Sequence, residues 1–251
     1  MYNRQNTKAE KTEKAVVVVG CSGHARVVID VLEHEGRYHI AGLVDNCKSV
    51  NTEILGYRVL GTENDLPALI VAGVCNAVIV AIGDNWCRGK TVEEIRQLVP
   101  EIPFVSAIHP SAIIAQDVSI GNGTVVMPGV VINGGCRIGD FCILNTCSSL
   151  DHDSTMERFA SLAPRATTGG NVKIGAYSAI SIGAVVSHAL CIGEHTVVGA
   201  GATVVKSIPE HVVAYGVPAR IIRSRKPGDP YLLKQPAQQL FCGSAPRAVV
   251  G

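Results

Sequence analysis

The chain is poor in aromatic residues, with Phe, Trp and Tyr at 4% of 251 positions. A core without rings must be built from Val, Ile, Leu, Ala and Gly in a repeated, tightly stacked backbone. Charge of one sign is also missing: 22 basic side chains face 21 acidic ones, for a net charge of +1. That balance argues against a nucleic-acid or membrane partner gripped through a basic field. No stretch reaches the roughly 18 apolar residues of a membrane span. The nine cysteines, at positions 21, 47, 75, 87, 136, 142, 147, 191 and 242, include no Cys-x-x-Cys pair. The odd count, and the absence of an export signal in "MYNRQNTKAEKTEK", lead us to expect reduced thiols in a cytoplasmic protein. Residues 1–14 are expected to form a disordered tail.

What is present falls into two halves. From Ala15 the text "AVVVVGCSGHARVVIDVLEHEG" is a β-branched run, a glycine turn, then Val27, Val28, Val31 and Leu32 at helical spacing. "HIAGLVDN" reads as a second strand, "AVIVAIGDN" as a third and "RGKTVEEIRQL" as a helix, with "PFVSAIHP" as the last strand. Alternating strands and helices imply a small parallel, Rossmann-like α/β domain over residues 15–108. "GCSGH" follows a strand and opens a helix, where N–H groups can hold a pyrophosphate. It is a partial fingerprint, since positions 20, 22 and 25 are Gly, Ser and Ala. Asp45 follows Gly20 by 25 residues, the place of a ribose-binding acid. The shortness of this half argues against a dehydrogenase.

Beyond Pro110 the period changes. An aliphatic residue recurs at every sixth position from Ile114 to Val204, with Thr168 the one exception, and glycine often follows, as in "IGNG", "IGDF", "IGAY" and "VGAG". Period six is the mark of a parallel β-helix whose three short faces close a triangular coil. At about 18 residues per coil the run makes about five coils, a prism roughly 25 Å tall at the inter-strand spacing. Against this rhythm the adjacent His152–Asp153 stands out. It lies two and three places after the inward Leu150, outside the core, among turns made of small residues.

"HPSAIIAQDVSIGNG", the hexads and "VVGAGATVVKSIPEHVVAYGVPARII" resemble the left-handed β-helix acyltransferases. With "VVVVGCSGHARVVIDVL" and "GLVDN" in front, the chain is similar to nucleotide-sugar acetyltransferases of the sialic-acid O-acetyltransferase type, including those that N-acetylate UDP-4-amino-sugars. The likeness covers residues 15–223. It implies the left hand of the β-helix over 109–223, acetyl-CoA as cosubstrate with no metal, and a homotrimer with active sites between subunits. It matches His152 to the catalytic base and Asp153 to the acid that orients it, where relatives commonly carry Glu. It matches Gly170 to the backbone donor for the thioester oxygen, and Ser22, Gly23, His24, Asp45 and Asn46 to the nucleotide grip. Lys206 and Arg220, beside "GVPAR", are candidates for the cofactor phosphates. Relatives place a second histidine near Ser161, a position to which we assign no role.

The chemistry fits that reading. An amine must lose a proton as it attacks a thioester, and an imidazole that titrates near neutrality can take it. The expected activity is N-acetylation of the 4-amino group of a UDP-linked sugar, with O-acetylation of a sialic acid or related sugar as the alternative. A gamma-type carbonic anhydrase is a lesser one: His152 and His188 sit two coils apart, about 9.6 Å, but His195 falls elsewhere in its hexad and Gly193 stands where a third ligand is wanted. A non-catalytic nucleotide-binding scaffold would leave His152–Asp153 without purpose. Residues 224–251, rich in Pro and Gln, are expected to be an irregular extension, packing through Leu232, Leu233 and Phe241.

Overall fold

The computed structural model describes residues 14–232. Most of the expected N-terminal tail, and Leu233 and Phe241 of the expected C-terminal packing, lie outside them; Lys14 is the first residue of a strand. Within the α/β unit, β1 (Lys14–Val19) is buried over its last four valines. It pairs in parallel with β2 (Tyr38–Val44) on one side. The hairpin β3 (Glu53–Ile54) and β4 (Tyr57–Gly61) extends the sheet beyond β2, and β5 (Ala77–Val80) closes the other side of β1. The strand order is β3-β4-β2-β1-β5, parallel except at the edge strand β3. The apolar stripe of α1 (Gly23–Glu35) buries Val28, Val31 and Leu32 but leaves Val27 partly in solvent. A short α2 (Leu66–Val71) precedes β5.

Two expectations shift. The helix expected to begin at Arg88 is α3, Asn85–Leu98, begun three residues earlier by the Asp84 carboxylate, which accepts the Cys87 N–H at 2.9 Å. "PFVSAIHP" is not a strand of this sheet. Pro103 has no N–H to give, and the segment makes only a bridge at Val78 and Phe104 before Ala107–Ile108 starts the second half. The β3–β4 hairpin, made by Glu53–Ile54, a tight turn and Tyr57–Gly61, has no counterpart in the sequence reading.

The second half is the prism that period six requires. Two-residue strands stack with a shift of 18 residues, as in Val131 on Ser149, Ile138 on Met156 and Leu144 on Leu162. Three parallel ladders result. The first face runs from Ile113–Ile114 to Thr203–Val204, the second from Ser119–Ile120 to Cys191–Ile192, and the third from Ala107–Ile108 up to a C-terminal hairpin, Val212–Gly216 with Ala219–Ser224. From Val126 to Val204 the sixth-position side chains are buried, whereas Ile114 and Ile120 are only partly covered at the open end.

The scarce rings are concentrated at one edge. Phe141, Phe159, Tyr177 and His195 recur every 18 residues between the second and third faces, each with φ between 50° and 60°. Their ring centroids lie 5.0, 4.8 and 4.8 Å apart, with interplanar angles of 7°, 16° and 3°. Here the α/β unit docks. Arg88 of α3 is wholly buried and gives its guanidinium to the carbonyls of Phe141 and Phe159 across the seam, and to Ile82, Gly83 and the Asn85 side chain on its own side.

Candidate active site

His152 and Asp153 sit on the edge between the first and second faces, in the turn joining Ser149–Leu150 to Thr155–Met156. Asp153 has φ 57°, a left-handed conformation that Asp tolerates better than most residues. The pair is joined: His152 Nδ1 lies 2.9 Å from Asp153 Oδ2. A proton on Nδ1 facing the carboxylate leaves Nε2 as the free base. This hydrogen bond, then burial against it and the charges of Asp151 and Asp153, leave the imidazole with its pKa above the ordinary value.

Two glycines frame the pair. A side chain on Gly135, one coil toward the open end, would strike the Asp153 carboxylate, and one on Gly170, one coil the other way, would strike the His152 ring at Nε2. Gly170 carries no side chain because the imidazole lies across it. Its carbonyl accepts the Ala189 N–H at 2.9 Å, while its own N–H has no protein partner among the described residues.

The sequence reading missed three residues that hold this turn. Asp151 accepts the His152 N–H at 2.8 Å and the Asn133 amide at 2.5 Å, contacts that hold its carboxyl below the usual range. Thr168, the exception to the hexads, is buried, and its hydroxyl accepts the Asp151 N–H at 3.1 Å. The signal was in the sequence: Thr168, the one break in the sixth-position aliphatic series, lies one coil from His152–Asp153.

The nucleotide-side residues gather at the carboxyl ends of β1 and β2. Asp45 accepts the Cys21 N–H at 2.7 Å on one oxygen and the Cys47 N–H at 2.7 Å on the other, so it ties the turn after β1 to the end of β2. Ser22 is the N-cap of α1 without a side-chain cap bond, the first turn has no acidic residue, and space around Gly23 is open. Asn46 is exposed. His24 is not the surface residue it resembles in sequence. Its Nε2 is enclosed without a partner, and burial, then the Arg88 charge, pull its pKa down to about 4.

Lys206 and Arg220 are both exposed but not together. Lys206 shares the turn column of His152, Gly170 and His188, three 18-residue steps beyond His152, whereas Arg220 lies on the hairpin of the third face. His195 is in the ring stack on another edge, buried between Tyr177 and His211, which removes it from any set with His152 and His188. Ser161 accepts the Asn85 amide at 3.1 Å, a docking contact.

Comparison with known proteins places these features. The profile of the PglD N-terminal domain matches residues 15–95. The GDP-perosamine N-acetyltransferase of Escherichia coli O157:H7 is 28% identical over 189 residues, 73% of this chain and 82% of that one. PerB from Caulobacter crescentus, solved in complex with CoA and GDP-perosamine, is 38% identical, with 83% of this chain and 97% of that one covered and a TM-score of 0.78. The chain belongs to the hexapeptide-repeat sugar N-acetyltransferases. The acetyltransferase domain of PglB from Neisseria gonorrhoeae, in complex with acetyl coenzyme A, is 29% identical over 84% of this chain, with a TM-score of 0.74. As a member of this family the protein is an acetyl-CoA-dependent acetyltransferase with the α/β-plus-left-handed-β-helix architecture. Among the described residues no helix is long and apolar enough to cross a membrane.

Proposed function

We propose that the protein transfers the acetyl group of acetyl-CoA to the 4-amino group of a GDP-linked sugar, of which GDP-perosamine is the model, with His152 as general base. The observation that carries this is the His152–Asp153 pair, with Nε2 unengaged and the free N–H of Gly170 beside it. GDP replaces the UDP expected from sequence because the enzymes similar over most of their length act on or bind GDP-perosamine. N-transfer is preferred to O-transfer on the same ground. Two further structures of the Caulobacter crescentus enzyme hold the same two ligands with a histidine changed to asparagine or alanine.

The amine lone pair attacks the thioester carbonyl while Nε2 of His152 takes the amine proton. Asp153 holds the ring and stabilises the imidazolium that forms. The carbonyl oxygen, gaining negative charge, accepts the Gly170 N–H. The C–S bond then breaks and the thiolate leaves with the proton from the imidazolium. The diphosphate rests on the open first turn of α1 at Ser22, Gly23 and His24, and the ribose end lies by Asp45 and Asn46. Lys206, about 14 Å along the axis from His152 at three coil spacings, meets the cofactor phosphates, with Arg220 nearer the third face.

Where the parts lie supports the homotrimer that the family resemblance implies. The α/β unit docks on the edge of Phe141 and Phe159, while His152 projects from the neighbouring edge, a whole face away. A base from one copy and a cleft from the next complete the site. The test is thiol release from acetyl-CoA with GDP-, UDP- and dTDP-linked 4-amino-sugars. Turnover selective for the GDP sugar and lost in His152→Ala supports the reading, and full activity in the mutant refutes it. His152→Ala and Gly23→Asp, each inactive alone, regain activity when mixed if the site is shared between copies, and stay inactive if it is not.

A further inference from the structure

The chain does not leave the molecule after the hairpin of the third face. Arg225 turns it back: this buried guanidinium donates to the His195 carbonyl at 2.9 Å and to the Asp229 carbonyl at 2.5 Å, and lies 5.7 Å from the Tyr231 ring centroid. Gly228 then packs on the Trp86 indole; a side chain there would come within 2.9 Å of Nε1. Tyr231 drops into the seam. Its hydroxyl accepts the Asn85 N–H at the start of α3 at 3.2 Å and shares a hydrogen bond with the Ser161 side chain. Leu232 follows, half exposed, with Cδ1 3.9 Å from the point where a Gly83 Cβ would stand, and His24 Cβ is 3.8 Å from the same point.

The sheet order gives that location a meaning. The carboxyl ends of β2, β1 and β5 lie side by side, so a ligand with its ribose at Asp45 and its diphosphate on α1 runs on toward the turn after β5, Gly83–Asn85. On the acceptor reading above, that turn is where the sugar of such a ligand comes to lie. Resting on the acceptor reading above, we propose that the segment Arg225–Leu232 is the wall of the sugar end, latched by the Tyr231 hydroxyl and presenting Leu232 to the sugar carbons. Leu232 is the specificity-determining residue and Tyr231 a positioning residue that acts through it. An apolar wall at this place favours a sugar carbon without a hydroxyl, because burying a hydroxyl against a leucine strands a polar group.

The experiment compares calorimetric affinities for GDP-perosamine and for GDP alone in the native protein, Leu232→Ala and Tyr231→Phe, alongside steady-state kinetics and melting temperature. Loss of a half-buried leucine or of one hydroxyl bond weakens GDP-perosamine binding about three- to tenfold. GDP affinity, the KM for acetyl-CoA and, for the exposed Leu232, the melting temperature stay at native values. Unchanged GDP-perosamine affinity in Leu232→Ala overturns the proposal, and so does an equal loss for GDP, which would place the wall at the nucleotide. Binding is read without turnover. A native protein that binds GDP-perosamine but does not acetylate it therefore refutes the catalytic reading while leaving the wall testable, and one that binds neither ligand refutes both.

Discussion

In the prism each rung repeats its neighbours' bonds. The Ile143 N–H reaches Ala160 O at 3.1 Å, and the Ser161 N–H reaches Ser178 O at 2.9 Å one coil on. The α/β unit has no such twins, and its attachment to the prism concentrates on two side chains of α3: Arg88, which donates to the Phe141 and Phe159 carbonyls, and Asn85, whose amide donates to the Ser161 hydroxyl and the Ser178 carbonyl. The contrast is between redundancy and concentration. A solenoid spreads stability over nearest-neighbour interfaces, so damage to one rung stays local. The seam hangs on a few side chains that no repeat duplicates. The proposed active site uses both, with its proposed base on a repetitive edge and its proposed acceptor site on the unit held by the seam.

The largest effect separates chemistry from scaffold. His152→Ala on the outside of a rung lowers kcat by about 10²- to 10⁴-fold, with melting temperature and nucleotide-sugar affinity unchanged, as rapid-mixing and calorimetric measurements would show. Asp153→Asn removes the main cause of the raised imidazole pKa. The base is active when unprotonated, so the acidic limb of the kcat/KM profile moves to lower pH while the plateau rate falls.

Concentration at the seam is tested by Arg88→Met, which strands buried carbonyls at about 1–3 kcal/mol for each one left unpaired. The single melting transition is expected to split, with the α/β unit loosening first. Arg88→Lys does not restore it, since an ammonium lacks the planar fork that spans both halves.

Within the prism, Thr168→Val obeys the hexad rule and keeps the shape, yet it removes the acceptor of the Asp151 N–H and costs about 1 kcal/mol in denaturant unfolding. A gain in stability would show the rule outranking the local bond. A further effect is the pH dependence of His24. Its folded pKa of about 4 lies below its unfolded value, so the unfolded chain binds the proton first. The stability contribution is present above about 6.5 and is lost as pH falls toward 4. His24→Phe flattens that slope.

The prism was legible because its constraint is periodic: one inward position in six leaves a signature that no local exception hides, although the role of the exception, Thr168, became clear only from its bond to the Asp151 N–H. The ring column at 141, 159, 177 and 195 has the same period of 18, but four rings among the hexads are too sparse to stand out before the coils are stacked. The seam was not legible either. "RGKTVEEIRQL" reads as a helix, but nothing in a sequence says that the face carrying Arg88 meets another domain. His24 and Tyr231 were hidden for the same reason, since their burial comes from segments dozens of residues away.

One consequence lies in the column that holds His152, Gly170, His188 and Lys206. Positions along it come only in whole rungs of about 4.8 Å, so the span from base to cation is quantised. Evolution can change the side chain at any notch, but it can lengthen or shorten the gauge only by gaining or losing 18 residues at once. The prism is a measuring stick whose graduations are written in the hexads.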